Sequence, residues 1–186
     1  MTGEKALYIN IDRNFMIDGG FSSQDKFVYM IIKSMSFSNL KSYNALAPIS
    51  TEVILSMMGF SLNTKNKNSI KDTLDDLIDC NMIEVFEDFL ATRRVEDVKL
   101  SKTYFVRVLE DKLSNKYTRI YQEEAYKLIT MANKSKAKVF TVFMEIVSYI
   151  YQNESSDRYC YPSLETIGDN TGINCKTIMN YIKVLY

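Results

Sequence analysis

The chain has 186 residues, of which 46% are hydrophobic, and its 23 basic side chains balance its 23 acidic ones. That is enough apolar material for one large core or two small ones, so the composition is that of a folded protein. Histidine is absent, which removes the commonest general base, the Ser-His and Cys-His nucleophile pairs and most transition-metal sites, and the six glycines form no phosphate loop. A non-enzymatic chain without a cofactor or bound metal is therefore expected.

The opening MTGEKALYIN lacks the pattern of a signal peptide, and no apolar run reaches about 18 residues, so a cytoplasmic protein with no membrane partner is expected. Cys80, Cys160 and Cys175 are odd in number and far apart, and are read as buried thiols at helix ends or turns rather than a disulfide framework.

Along the chain, ALYINID alternates Leu7, Ile9 and Ile11 with polar or aromatic residues, predicting a strand within an N-terminal arm of residues 1–21. From Ser22 the period becomes helical, with a serine cap and Phe27, Val28, Ile31, Ile32 and Met35 on one face. Pro48 closes a short extended piece. Ser50 or Thr51 then caps a helix with Val53, Ile54 and Met57 inward, and Gly59 takes the left-handed position at its end. SLNTKNKN reads as turn, followed by a helix with Ile70, Leu74, Leu77 and Ile78 inward that stops near Asn81.

The period then falls to two at Ile83 and Val85 and again at Tyr104, Val106 and Val108, a hairpin around a basic connection. Helix, strand, helix, turn, helix, hairpin is the order of a winged helix-turn-helix domain, placed at residues 22–115. Residues 116–135 form a linker with a strand at Tyr117 to Ile120, a helix from Gln122, and NKSKAK as a polar hinge. An apolar helix follows with Val139, Phe143, Ile146, Val147 and Ile150 on one stripe. YCYPS repeats the extended piece, and residues 136–186 become a second helix-turn-helix domain that stops before a wing. The expected fold class is mostly α with small β-hairpin wings, a tandem winged helix-turn-helix.

The second unit carries the sharper motif. A compact helix-turn-helix needs a small residue where the helices cross, a residue tolerant of positive φ in the turn, and apolar anchors. Gly168, Gly172, Ile173 and Ile178 supply them, with Leu164, Ile182 and Leu185 extending the apolar face. Asn174, Lys176, Thr177, Asn180 and Lys183 are left toward solvent with no acid among them. Such donors at a helix start suit phosphates and purine edges in a major groove. A plain helical hairpin with a polar outer face is the alternative.

In the first unit Ile54, Gly59 and Phe60 match Ile167, Gly172 and Ile173, with an inserted SLNTKNKNS and with Leu55 at the crossing. Lys65, Asn66, Lys67, Asn68 and Ser69 would open its recognition helix, and Arg93, Arg94, Lys99 and Lys102 would bring a wing to phosphates or the minor groove. Asp72, Asp75, Asp76 and Asp79 read as a solvated flank. Among the 13 tyrosines, Tyr29, Tyr104, Tyr149 and Tyr181 follow the apolar pattern and are read as core rims rather than stacking platforms.

The stretches APISTEVILSMMGFSLNTKNKNSIKDTLDDLIDCNMIEV and YPSLETIGDNTGINCKTIMNYIKVL, joined by KYTRIYQEEAYKLI, resemble the tandem winged-helix replication initiators of plasmids and phages, including the replication-initiator and DnaD-like groups. The resemblance begins near Ser22 and rests on motifs generic to winged helices. It implies binding of double-stranded DNA at origin repeats, often as a homodimer, and recruitment of host helicase-loading proteins. Some relatives regulate transcription or conjugation genes instead. Relatives continue past the second recognition helix into a wing, so the chain is expected to be a fragment. The rival from another class is a dimerisation or scaffold module that does not touch DNA.

Overall fold

The computed structural model describes residues 7–36, 46–109, 116–152 and 162–185; Cys160, most of YCYPS and Tyr186 lie outside them. The fold is mixed α/β. Strand β1 (Tyr8–Asp12) leads into the short helix α1 (Arg13–Ile17) and then α2 (Ser23–Met35). Strand β2 (Leu46–Ile49), helices α3 (Thr51–Met58) and α4 (Thr64–Asp79), and strands β3 (Ile83–Phe86), β4 (Arg94–Val95) and β5 (Tyr104–Val108) follow. Strand β6 (Tyr117–Tyr121), α5 (Gln122–Thr130), α6 (Lys136–Gln152), α7 (Leu164–Thr171) and α8 (Cys175–Leu185) complete the described elements.

Two antiparallel sheets result. One is a four-stranded sheet in the order β2-β5-β3-β4, and the other is a two-stranded ribbon in which β1 pairs β6 from Tyr8↔Tyr121 to Asp12↔Tyr117. The ribbon ties the N-terminal strand to the segment read as a linker, and Ile9, Ile11, Thr118 and Ile120 are buried beneath it.

Local chemistry sets the helix starts. Ser22 and Asp25 form a reciprocal capping box on α2, the Ser22 amide donating to Asp25 Oδ2 at 2.7 Å. Ser50 caps α3 through the Val53 amide, and Gly59 closes it at φ 74°. Asn63 caps α4, with its Oδ1 accepting from the Asn66 amide at 2.8 Å. Helix α4 therefore begins at Thr64, and KNKNS is helical instead of turn. The polar composition suggests a loop, but only Lys65 and Asn68 project into solvent, and Asn66, Lys67 and Ser69 are half-buried and bonded to neighbouring elements.

The apolar stripes predicted for α2 and α6 are too narrow. Every residue of α2 from Asp25 to Lys33 is buried, and α6 buries Val139, Phe140, Thr141, Val142, Met144, Glu145, Val147 and Ser148 while Phe143 and Ile146 are half-buried. These are the two central helices of one core, with the Phe27 and Phe140 rings 5.5 Å apart at their contact. In α3 the inward set is Ile54, Leu55 and Met58, and Val53 is exposed. Tyr29 and Tyr104 are fully buried rather than at a rim, and Cys80 is exposed at the end of α4 instead of buried.

Lys136, within the stretch read as a hinge, is buried. Its Nζ donates to the Met57 carbonyl at 2.9 Å and to the Ile129 carbonyl, so one ammonium caps the last turns of α3 and α5. Burial pushes its pKa down. A smaller cluster of Val142, Ile167, Ile173 and Ile178 seats α7 and α8 on α6, and Tyr181 bridges it to the main core.

Phe140→Ala should cost about 3–5 kcal/mol in urea unfolding, the range for a large aromatic in a core. Lys136→Met, which keeps the stem and leaves two helix-end carbonyls without their donor, should cost about 1–3 kcal/mol in the same measurement.

Candidate nucleic-acid interface

Helices α7 and α8 meet at a tight turn. Ser163 Oγ caps α7 by accepting from the Thr166 amide at 3.1 Å, and Gly172 ends it at φ 68°. Gly168 sits at the crossing. A Cβ there would lie 3.1 Å from the Ile173 carbonyl oxygen, closer than side-chain carbons ordinarily approach backbone. Ile178 is fully buried, and Asn174 Oδ1 accepts from the Thr177 amide at 2.9 Å, which makes Asn174 the structural cap of α8.

With about 100° per residue, Ile178, Tyr181, Ile182 and Leu185 share the inner face of α8 and put Lys176, Asn180 and Lys183 on the outer one. All three are exposed, Thr177 is half-buried, and α8 contains no acid. Among the described residues neither lysine has an ion-pair partner within 4 Å. Met179 and Val184, also exposed, flank this face and escaped the sequence reading, because an apolar residue beside a helical stripe is assigned to the core by periodicity.

Helix α4 presents less. Lys65 and Asn68 are exposed, but Asn66 donates to the Ser61 carbonyl at 2.9 Å, Lys67 pairs with Glu52 at 2.5 Å, and Ser69 accepts from Gln24 through both its carbonyl and its hydroxyl. Gln24 also donates to Thr73, whose hydroxyl donates to the buried Asp25 at 2.8 Å. This network fixes α4 on the start of α2. Toward its far end, partial desolvation and then the carboxylates of Asp25, Asp72, Asp79 and Asp75 push the exposed Asp76 carboxyl above its ordinary value. Lys71 is held charged by Asp75 and Asp97 at 2.6 and 2.9 Å.

The hairpin basic residues other than Lys99 are matched by acids. Arg94 reaches Glu84 at 3.2 Å, Arg107 reaches the same carboxylate at 3.3 Å, and Lys102 holds Glu87 at 2.9 Å. Arg93 lies 3.6 Å from Glu87 and 3.8 Å from Asp88. The hydrogen bond from Lys102 lowers the Glu87 pKa and raises that of Lys102. Lys99 is exposed and uses its amide on the Tyr104 hydroxyl. Along the loop the cations alone make the connection look basic. Pairing across strands, which put Glu84 beside both arginines, sets the field.

A second polar joint supports α7. The buried Glu145 of α6 accepts from Asn170 Nδ2 at 2.7 Å, the Arg13 guanidinium lies over the Tyr149 ring at 5.4 Å, and burial followed by Glu145 pushes the Tyr149 hydroxyl pKa up. Among the described residues no group of His, Cys, Asp or Glu is placed to hold a metal ion, and no helix is long and apolar enough to cross a membrane. Comparison with protein-family models, curated proteins and solved structures finds no match.

Gly168→Val should cost about 2 kcal/mol by wedging the crossing. Hydrogen exchange should then speed up across α7 and α8 while the amides of α2 stay protected.

Proposed function

We propose that the chain is a tandem winged helix-turn-helix protein that binds double-stranded DNA site-specifically, with α8 as the principal recognition helix. The observation that carries the reading is the outer face of α8: Lys176, Asn180 and Lys183 exposed, unmatched by acids, on a helix held by a close glycine crossing. Lysines there suit phosphates, and an asparagine suits an adenine edge. In the first unit Lys65 and Asn68 take the corresponding role, while Asn66, Lys67 and Ser69 position the helix that carries them.

The likeness to plasmid and phage initiators makes origin repeats the proposed target, bound by a homodimer in the cytoplasm that recruits helicase-loading proteins. Control of transcription or conjugation genes would use the same surface at other sites. A protein-interaction module is favoured by a different observation, the matched charges of the hairpin, since a neutral mixed surface suits another protein as well as it suits DNA.

Fluorescence-anisotropy titration against the repeats upstream of the chain's own gene and against scrambled duplex separates the readings. Preferential binding is expected, with log affinity falling linearly in log salt. Lys176→Ala and Lys183→Ala should each flatten the slope by about 0.9, the value for one phosphate. Lys102→Ala should change it less, because that ammonium already serves Glu87. Unchanged affinity in a Lys176→Glu, Lys183→Glu double variant, or no binding at low salt, would overturn the DNA reading in favour of a scaffold.

A further inference from the structure

The tip of the β3–β4 hairpin projects two large apolar side chains into water. Leu90 is 75% exposed and Phe89 66%. A loose loop would let such residues fold back, but this one is built to hold them out. The Glu87 amide donates to the Arg93 carbonyl at 2.9 Å and closes the turn. The Asp88 carboxylate accepts from the amides of Leu90, Thr92 and Arg93 and from the Thr92 hydroxyl, at 2.9 to 3.2 Å. Ala91 occupies the left-handed region at φ 55°. The Phe89 ring meets the Phe105 ring edge-on at 5.9 Å, which fixes its direction.

The acids beside the tip are taken up by partners within the hairpin. Partial desolvation pushes the Asp88 carboxyl up, and its hydrogen bonds to Thr92, Arg93 and Leu90 outweigh that and bring it below the ordinary carboxylate range. Glu87 is held by Lys102 and Arg93. What stands outermost is a phenyl ring and an isobutyl group, with the largely exposed Arg93 and Arg94 side chains close behind. A hairpin built to clamp phosphates would carry its cations at the tip. This one spends its cations on its own acids and offers apolar surface instead.

We propose that Phe89 and Leu90 form a wedge that enters the minor groove of a DNA duplex and partly unstacks one base step, bending the helix. This rests on the DNA-binding reading above and gives it a partner chemistry: a duplex with an easily opened pyrimidine-purine step, TA or CA, where the tip reaches. Insertion removes both side chains from water, and the opposing cost of unstacking is smallest at those steps. The hairpin follows α4 directly in the chain, and Lys71 of α4 pairs with Asp97 beyond β4 at 2.9 Å, which ties the hairpin's return segment to the helix proposed to read DNA in the first unit.

The test uses the full chain, the repeat duplex labelled with a dye at each end, and 2-aminopurine placed at its TA and CA steps. Binding should raise both energy transfer between the ends and 2-aminopurine emission. The Phe89→Ala, Leu90→Ala double variant should bind about tenfold more weakly and produce neither signal. Its thermal unfolding should stay within about 2–4 °C of the parent, because both side chains are mostly exposed and Phe89 gives up only its edge contact with Phe105. Replacing the flexible steps by an A-tract should weaken the parent and leave the variant unaffected.

Equal affinity and equal energy transfer for parent and variant would overturn the wedge while leaving DNA binding intact. Loss in the variant of a concentration-dependent dimer, with DNA bending unchanged, would overturn it in favour of an interface between copies. Failure of the parent to bind any duplex at low salt would sink the DNA reading itself and the wedge with it.

Discussion

Everything else hangs on the packing of α2 against α6. Each is buried around most of its circumference, and where they touch, Phe27 and Phe140 bury completely. Helices with so little wet face must be enclosed by other elements, which also have to satisfy the polar groups they bury. Strand β6, α1 and the α7–α8 pair gather around α6, α4 with β2 and β5 of the four-stranded sheet gathers around α2, and α5 touches both. Two segments far apart in sequence thus share one core, which explains why residues from β1 through α6 belong to a single apolar cluster.

Apolar packing of this kind is non-directional, and polar contacts give it orientation. Lys136 joins the ends of α3 and α5 to the start of α6. Gln24, Asp25, Ser69 and Thr73 set α4 on α2, and Glu145 with Asn170 sets α7 on α6. Lys26, whose pKa burial lowers against the opposing pull of Asp18, Asp25 and Glu145, donates to the Asp18 carbonyl at 2.9 Å. The Gln24 network holds α4 directly, and Glu145 with Asn170 holds α7, on which α8 packs. Substitutions at these anchors should alter presentation of α4 and α8 without touching any ligand.

Apart from the short α1 and β4, too brief to carry a period, element existence is legible because local rules agree with the final state. Serine caps, two left-handed glycines, period-two strands and the Gly168 crossing each point to one local geometry, and each appears where its residues predicted it. Burial was less legible. Single-sequence periodicity assumes one wet face, so α2 and α6 were read as stripes, and Lys136 was read as a hinge because a lysine's burial depends on carbonyls supplied by residues seven and 79 positions away. The α8 surface could be read from local spacing alone. The hairpin surface could not, since the neutralising Glu84 is separated from Arg94 and Arg107 in sequence and meets them only through strand register.

That register bears on what the protein can recognise. A chain with equal numbers of acids and bases cannot hold DNA by overall charge, so selectivity depends on where cations are left unmatched. On α4 the acids cluster at the far end, and across the hairpin they sit opposite the arginines, whereas α8 has none. Neutralising the hairpin weakens its attraction for any polyanion and so suppresses sequence-independent binding. What remains there, an apolar tip on a rigid turn, gains free energy only where a partner takes it out of water. In the proposed reading, the matched charges of the hairpin and the unmatched lysines of α8 are complementary parts of one design, in which non-specific affinity is held down so that base contacts and duplex deformability decide the site.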